Sequence, residues 1–523
     1  MIRRLLMLIF LIDVCVSSMH ANARTGAALV QVAQGQLQGA SLKGDVSAFL
    51  GVPYAAPPVG ELRWRAPAPP VSWRAVRDAT AFGANCMQFV IPQGGGPWTH
   101  EFLVHGPVSE DCLFLNVWTP ARTPGARLPI MVWIHGGGFT GGSGSIDIYN
   151  GEALAREAGI IVITVNYRLG VFGFFSHPEL SEEGINGNQA GYDVIAALRW
   201  IRENARAFGG DKRRVTIAGQ SGGAAMVDSL LMSPLARGLF AGAIAESFPM
   251  GVLPTDADLP AAQADGLSLA QGLDASSLAE LRAADAHQIL AKAGAAYRWP
   301  RCACFFVDGD FLREQPAQAF AHSRQNDVPT MAGIVDAESP FPTDIASYTT
   351  SVAARYGALS ADFLKIFPAS TDAEAANQVL ISGRERLLSS MEHWAAARAH
   401  TSRTRMFLYL YAHTTPGPNS AKYRTFHTAE VPYVFGTLNA SPERGFTEQD
   451  HEISARMMSY WGNFVKTGNP NGQGLPPWRP ASGSAHPVIM ELGDHWGPLA
   501  PLPAAHREFF ESYYGRGGVP FLF

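Results

Sequence analysis

The chain has 523 residues, 47% of them hydrophobic and 16% charged, with a formal net charge of -5. This composition is that of a globular protein, and the length permits one large sheet carrying long insertions as readily as several small domains. No basic block of five or more residues occurs, which argues against nucleic acid as a partner.

At the start, Arg3 and Arg4 precede an apolar run from Leu5 to Val16 that Asp13 interrupts. Ala21-Asn22-Ala23 then offers a small-x-small cleavage pattern. Together they predict a secretory leader over residues 1–23, cleaved after Ala23, and a secreted or periplasmic mature chain. The apolar run is too short to span a bilayer, and no other stretch of about 18 apolar residues follows, so no membrane span is expected. Cys15 leaves with the leader, and bulky Val14 before it disfavours lipid attachment. Four cysteines remain, Cys86, Cys112, Cys302 and Cys304. An even number in an exported chain favours disulfides. Cys86 and Cys112 are able to close one loop. Cys302-Ala303-Cys304 is too tight for an unstrained bond, which leaves free thiols, a strained redox pair or half a metal site; no cysteine or histidine with ligand spacing stands beside it, so no metal is expected.

Residues 26–50 mix apolar and polar positions around Gly35, Gly39 and Gly44, a pattern of edge strands and turns. Continuous apolar runs follow at 128–134, 159–166 and 214–218. Runs that do not alternate indicate strands covered on both faces, hence a parallel sheet. A helix is predicted over 188–207, where Val194, Leu198, Ile201, Ala205 and Phe208 recur at helical spacing before Gly209-Gly210 ends it. Further strands are expected at 241–245, 329–335 and 406–412. An alanine-rich helical insertion is expected at 255–300, and an amphipathic helix at 449–466. There is no internal repeat and no convincing linker, so residues 24–523 read as one α/β domain.

Chemistry concentrates at Gly219-Gln220-Ser221-Gly222-Gly223, directly after the apolar run at 214–218. A serine hydroxyl attacks well only when a base stands beside it and the turn thrusts it clear of the backbone. Glycines two before and two after relieve the crowding of such a turn, and a following helix aims its N–H groups at developing negative charge. A second glycine cluster, His135-Gly136-Gly137-Gly138-Phe139, follows another buried strand. Its backbone N–H groups are able to converge on one oxygen, with Gly137, Gly138 and Gly222 as the donors. The same cluster fits a dinucleotide fingerprint, but Gly142-Ser143-Gly144-Ser145 stands where that reading needs a helix. An orienting acid is expected in a loop after a later strand, where Asp336 and Glu338 are both candidates. A base is expected further on. Ten histidines follow Ser221, and His427 stands beside an apolar segment.

Taken together the chain resembles the type-B carboxylesterases, the cholinesterase-like branch of the α/β-hydrolases. The markers are Gly51-Val52-Pro53-Tyr54-Ala55, Glu110-Asp111-Cys112-Leu113, 135–139, Asn166-Tyr167-Arg168, Phe208-Gly209-Gly210-Asp211, 219–223, Val307-Asp308-Gly309, 333–338, 427–436 and 461–470. The resemblance covers nearly all of the mature chain. It implies an α/β-hydrolase fold, a large mostly parallel sheet flanked by helices with long insertions. It implies Ser221 as nucleophile, Glu338 as acid, His427 as base, an oxyanion hole of Gly137, Gly138 and Gly222, a Cys86–Cys112 bridge and an Arg63–Glu110 ion pair. The implied activity is hydrolysis of a small-molecule carboxylic ester through an acyl-enzyme, without metal or organic cofactor. A hydrolase of a bulky ester, lactone or polyester is the alternative within the same chemistry. A non-catalytic binding protein is the alternative outside it, disfavoured because serine, acid and histidine are all present. The chain departs from the family at Gln220, usually glutamate, at Gly222, usually alanine, and at Glu246-Ser247-Phe248, usually Gln-Ser-Gly. Phe248 is expected to narrow the acyl side of the pocket. Trp98 lies in the disulfide loop but does not match the position of a choline-binding tryptophan.

Overall fold

In a computed structural model, residues 28–248, 258–296, 305–338, 343–481 and 487–518 are described. The leader expected at 1–23, Cys302 and Cys304 lie outside them. The strands of the large sheet are β1 (Ala28–Val32), β2 (Gly35–Ser41), β3 (Ser47–Pro53), β4 (Phe114–Thr119), β5 (Leu128–Ile134) and β6 (Ile161–Val165), followed by β7 (Gly210–Gln220), β8 (Gly242–Glu246), β9 (Thr330–Val335), β10 (Met406–Ala412), β11 (Ile489–Gly493) and β12 (Gly497–Pro498). Their spatial order is β1-β2-β3-β4-β6-β5-β7-β8-β9-β10-β11-β12, with Arg77–Asp78 paired to β2. Every pairing from β6 across to β11 is parallel, and the flanking pairings are antiparallel except that of Arg77–Asp78 with β2, which is parallel. The expected mostly parallel sheet is therefore present.

Sequence and burial agree on why. β6, β8 and β9 are buried at every position, as unbroken apolar runs between two helical layers require. Successive residues of one strand serve opposite faces: Ile130, Val132 and Ile134 enter one apolar core, Met131 and Trp133 the other. At the antiparallel edge β1 alternates between half-buried and exposed positions, the mark of a strand wetted on one side.

The helix Gln189–Asn204 closes one face through Ala190, Val194, Leu198 and Ile201. It is shorter than the expected 188–207, because Ala205–Phe208 tightens into a 3₁₀ turn before left-handed Gly209. The helix Glu448–Thr467 closes the other face through Ile453, Met457, Trp461 and Phe464. Thr447 and Asp450 cap its start reciprocally, and Gly468 ends it at φ 69°. The insertion expected at 255–300 contains the helices Leu259–Gly272, Leu278–Ala283 and Ala286–Ala296. Arg63 and Glu110 form a two-pronged ion pair at 2.6 Å, and Arg63 also donates to the carbonyls of Leu281, Arg282 and Ala284. That pair ties the N-terminal loops to the insertion. Arg168 and Asp193 form a second, fully buried pair at 2.6 Å.

Candidate active site

The C-terminal ends of the parallel strands gather the candidate residues. β7 ends at Gln220, and the helix Gly222–Met232 starts one residue after Ser221. Ser221 bridges them at φ 56° and ψ -124°, a backbone region that costs a side-chain-bearing residue on the order of 1–3 kcal/mol. Neighbouring glycines make this turn possible. A Cβ at Gly219 would lie 2.5 Å from the Gly223 carbonyl, and one at Gly223 would lie 2.0 Å from the Ile134 oxygen. The Ser221 N–H is held by the Glu246 carbonyl of β8 at 2.8 Å.

The glycine cluster stands against this elbow. Gly137, Gly138 and Phe139 all adopt positive φ, at 108°, 58° and 60°. A Cβ on Gly222 would meet the backbone nitrogens of Gly138 and Phe139 at 3.2 Å, so two of the three expected donor residues, Gly138 and Gly222, are neighbours. Gly137 is exposed and Gly138 half-buried, within reach of a bound ligand. No helix opens here: 139–145 is irregular, and the next helical turn is the short Asp147–Tyr149. The dinucleotide reading therefore loses its required element.

Beneath the cluster, burial lowers His135 to about 4, so its imidazole is neutral, and it stacks on Tyr167 with ring centroids 4.4 Å apart. The Tyr167 hydroxyl donates to the His135 carbonyl at 2.8 Å. The Cys86–Cys112 disulfide is formed, closing 26 residues of sequence separation. From its base, Gln88 accepts from the Gly142 N–H at 2.8 Å and donates back to the Gly142 carbonyl at 2.9 Å. The disulfide loop is thereby fastened to the glycine cluster.

Acid and histidine arrive on two loops that run side by side, with Ala337 bridged to Phe426. Glu338 Oε2 lies 2.5 Å from His427 Nδ1, both side chains being buried, while Glu338 Oε1 accepts from the Val335 N–H at 3.0 Å. The rival carboxylate is committed elsewhere: Asp336 is paired with Arg384 at 2.5 Å and with Arg424 at 3.0 Å. The other ring nitrogen, His427 Nε2, faces the elbow, where Gln220 Nε2 reaches it at 3.1 Å. Trp98 Nε1 donates to the His427 carbonyl at 3.1 Å and its ring meets Phe426 edge-on, so the disulfide loop also fixes the backbone of this turn. Glu338 and His427 are thus paired, His427 reaches the residue beside Ser221, and Gly222 lies against Gly138 in the cluster that also holds Gly137. Phe248 is half-buried and packs against the main apolar core.

Two further acids in this region were given no role by the sequence reading. Glu246 Oε1 accepts from Trp461 Nε1 at 2.7 Å, and burial pushes its carboxyl up to about 8. Glu430, three residues after His427, accepts from Ser247 Oγ at 3.2 Å. It is raised well above the usual carboxylate range by burial, then by the nearby Glu246 and Glu338 charges. Burial thus favours the protonated form of both. For Glu430 a signal existed, an acid inside the apolar segment 429–435. The burial of Glu246 at a strand end had none.

The region holds a strained serine-bearing turn, a carboxylate–imidazole pair and a glycine cluster packed against the turn. That inventory suits acyl transfer.

Comparison with known proteins points the same way. The sequence profile described as "Carboxylesterase family" matches residues 26–498. The chain is 35% identical over 453 residues to the fumonisin B1 esterase of Sphingopyxis macrogoltabida, covering 82% of this chain and 80% of that protein. It is 34% identical over 464 residues to the cocaine esterase of Homo sapiens, covering 83% and 81%. A solved thermophilic PNB esterase superposes with a TM-score of 0.78 at 29% identity, covering 93% of this chain and all of that one.

Proposed function

Since the chain belongs to the carboxylesterase family and is a carboxylic ester hydrolase, we propose that it works through an acyl-enzyme with Ser221 as nucleophile, His427 as base and Glu338 as acid. Ser221 Oγ attacks the ester carbonyl carbon as its proton passes to His427 Nε2. The carbonyl oxygen takes the negative charge and is met by the N–H groups of Gly137, Gly138 and Gly222. Collapse breaks the bond to the alcohol, which leaves with the proton from His427. Water, deprotonated by the same imidazole, then attacks the acyl-serine, and Ser221 recovers its proton. Glu338 fixes the tautomer of the imidazole and balances its charge in the transition state.

The carrying observation is the 2.5 Å contact between Glu338 and His427 Nδ1, which leaves Nε2 turned toward the residue beside Ser221. The relatives are named for different substrates, so we assign substrate choice to positions outside the triad. Among these are Gly222 and Phe248, where the sequence departs from its family. We also propose that residues 1–23 are a cleaved leader and that the chain is exported to the periplasm or medium, which the Arg3-Arg4 start, the apolar run and Ala21-Asn22-Ala23 support. Small-molecule esters are the partners proposed.

A panel of p-nitrophenyl esters of increasing acyl length, run on wild type and Ser221→Ala, tests the assignment. Wild type is expected to hydrolyse at least the shorter esters and to be labelled at Ser221 by a fluorophosphonate. Undiminished hydrolysis by Ser221→Ala would sink the nucleophile. Absence of both hydrolysis and labelling in wild type would favour a binding protein.

A further inference from the structure

The residue before the nucleophile touches the base. Gln220 is 1% exposed, and its Nε2 lies 3.1 Å from His427 Nε2. His427 uses its other ring nitrogen on Glu338, at 2.5 Å. With Nδ1–H given to that carboxylate, Nε2 of the neutral ring carries the lone pair and accepts. The amide N–H of Gln220 is then the donor, because the reverse orientation would set its oxygen against that lone pair. This lone pair is the one that has to take the Ser221 proton.

We propose that Gln220 is a positioning residue for the base: it caps the Nε2 lone pair of resting His427, holds the ring neutral and in the reactive tautomer, and yields that lone pair to Ser221 when an ester binds. The proposal rests on the triad assigned above. After proton transfer Nε2–H becomes a donor, and the same side chain, turned over, offers Oε1 as acceptor. A carboxylate in this place has no such choice. It only accepts, and its charge favours the imidazolium.

The other ionisable groups around the ring fit this picture. Glu338 is the carboxylate in contact with it. Burial raises Glu430 on the same turn well above the usual carboxylate range and pushes Glu246 on β8 up to about 8. Tyr409 on β10, buried and raised well above the usual phenol range, stays neutral. Arg424 is engaged with Asp336, and Arg444 lies over the Phe426 ring with its guanidinium 5.6 Å from the centroid. A charge introduced at 220 is therefore felt directly by Nε2.

The test compares wild type, Gln220→Glu and Gln220→Met, each checked for folding by thermal melting. Two rates are followed against pH: fluorophosphonate labelling of Ser221, and kcat/KM for p-nitrophenyl butyrate. A carboxylate beside the ring stabilises its protonated form, so the neutral base is recovered only at higher pH. The acid limb of Gln220→Glu is expected to move up by about one to three pH units. Gln220→Met loses the donor without adding charge. Its kcat is expected to fall by up to about 10-fold at unchanged KM, with a smaller upward move of the limb. An upward move in either variant supports the proposal. Limbs that stay in place or move down in both overturn it. Failure of wild type to label at Ser221 is a different result, and it removes the triad instead.

Discussion

Replacing Glu246 with glutamine should make the protein more stable at pH 8 and leave it nearly unchanged at pH 5. The side chain is completely buried, with Oε1 bonded to Trp461 Nε1 at 2.7 Å and Oε2 without a hydrogen-bond partner among the described residues. Burial raises its carboxyl from 4.5 to about 8. Between those values the folded chain keeps a proton that the unfolded chain releases, so the folded state binds more protons and stability falls as pH rises. At ~1.4 kcal/mol per pH unit, the three units from pH 5 to pH 8 amount to about 4 kcal/mol. Glutamine has no proton to lose. It keeps an oxygen for Trp461 and puts an N–H donor where Oε2 has no partner. At pH 5, where both side chains are neutral, the two proteins should melt within a degree or two of each other. The gap should widen by several degrees toward pH 8, given that each kcal/mol is worth about 1–2 °C in a chain of this size. Thermal melts at pH 5, 6, 7 and 8 read it directly. Parallel curves, or a gap that shrinks with pH, would refute the reasoning.

Three further outcomes follow from the geometry. Glu338→Gln should lower kcat by about 10³- to 10⁴-fold, because the imidazole loses the carboxyl group that fixes its tautomer, while Asp336→Asn loosens only the Arg384 and Arg424 pairs and should cost far less; equal losses would contradict the assignment of the acid. The double variant Cys86→Ser/Cys112→Ser opens a loop of 26 residues of separation and should lose about 3–4 kcal/mol in denaturant unfolding, with hydrolysis declining alongside as Gln88 releases the glycine cluster. Gly223→Ala drives a Cβ to 2.0 Å from the Ile134 carbonyl and should yield little soluble protein; expression and melting like wild type would mean that the elbow relaxes more than close-packed backbone permits.

The site was legible in the sequence where its logic is local. Gly219 and Gly223 stand two residues either side of Ser221, and the structure gives each the same reason, backbone atoms where a Cβ would sit. The parallel strands were legible because burial on both faces removes alternation from the sequence. Choosing Glu338 over Asp336 was not local. Two residues apart in the same loop, they differ only in what the chain brings to them later: Arg384 and Arg424 to one, His427 to the other. The helix Asp372–Thr401 went unseen for a related reason. Its buried positions include Ser382, Glu385, Arg386, Ser389, Ser390 and Arg398, so no clean apolar stripe marks a face. Its polar groups find partners far away, as Arg398 does at the Val328 carbonyl and Glu385 at His506.

Two departures noted separately in the sequence turn out to be one feature of the sheet. Gln220 and Glu246 are register partners on β7 and β8. The family usually has an acid at the first position and an amide at the second, and here the two are exchanged across a single rung. Each side chain meets a different neighbour. The amide reaches His427 Nε2, and the acid reaches the Trp461 indole. The exchange therefore removes a carboxylate from contact with the base and puts one where burial keeps it protonated. Carboxyl groups are conserved in number across the rung, yet the charge felt by the imidazole is not. That difference arises one residue away from Ser221, without altering Ser221, Glu338, His427 or any glycine of the elbow. A chain altered in this way keeps the chemistry of its family while giving the base a neighbour that can donate as well as accept, where a carboxylate only accepts.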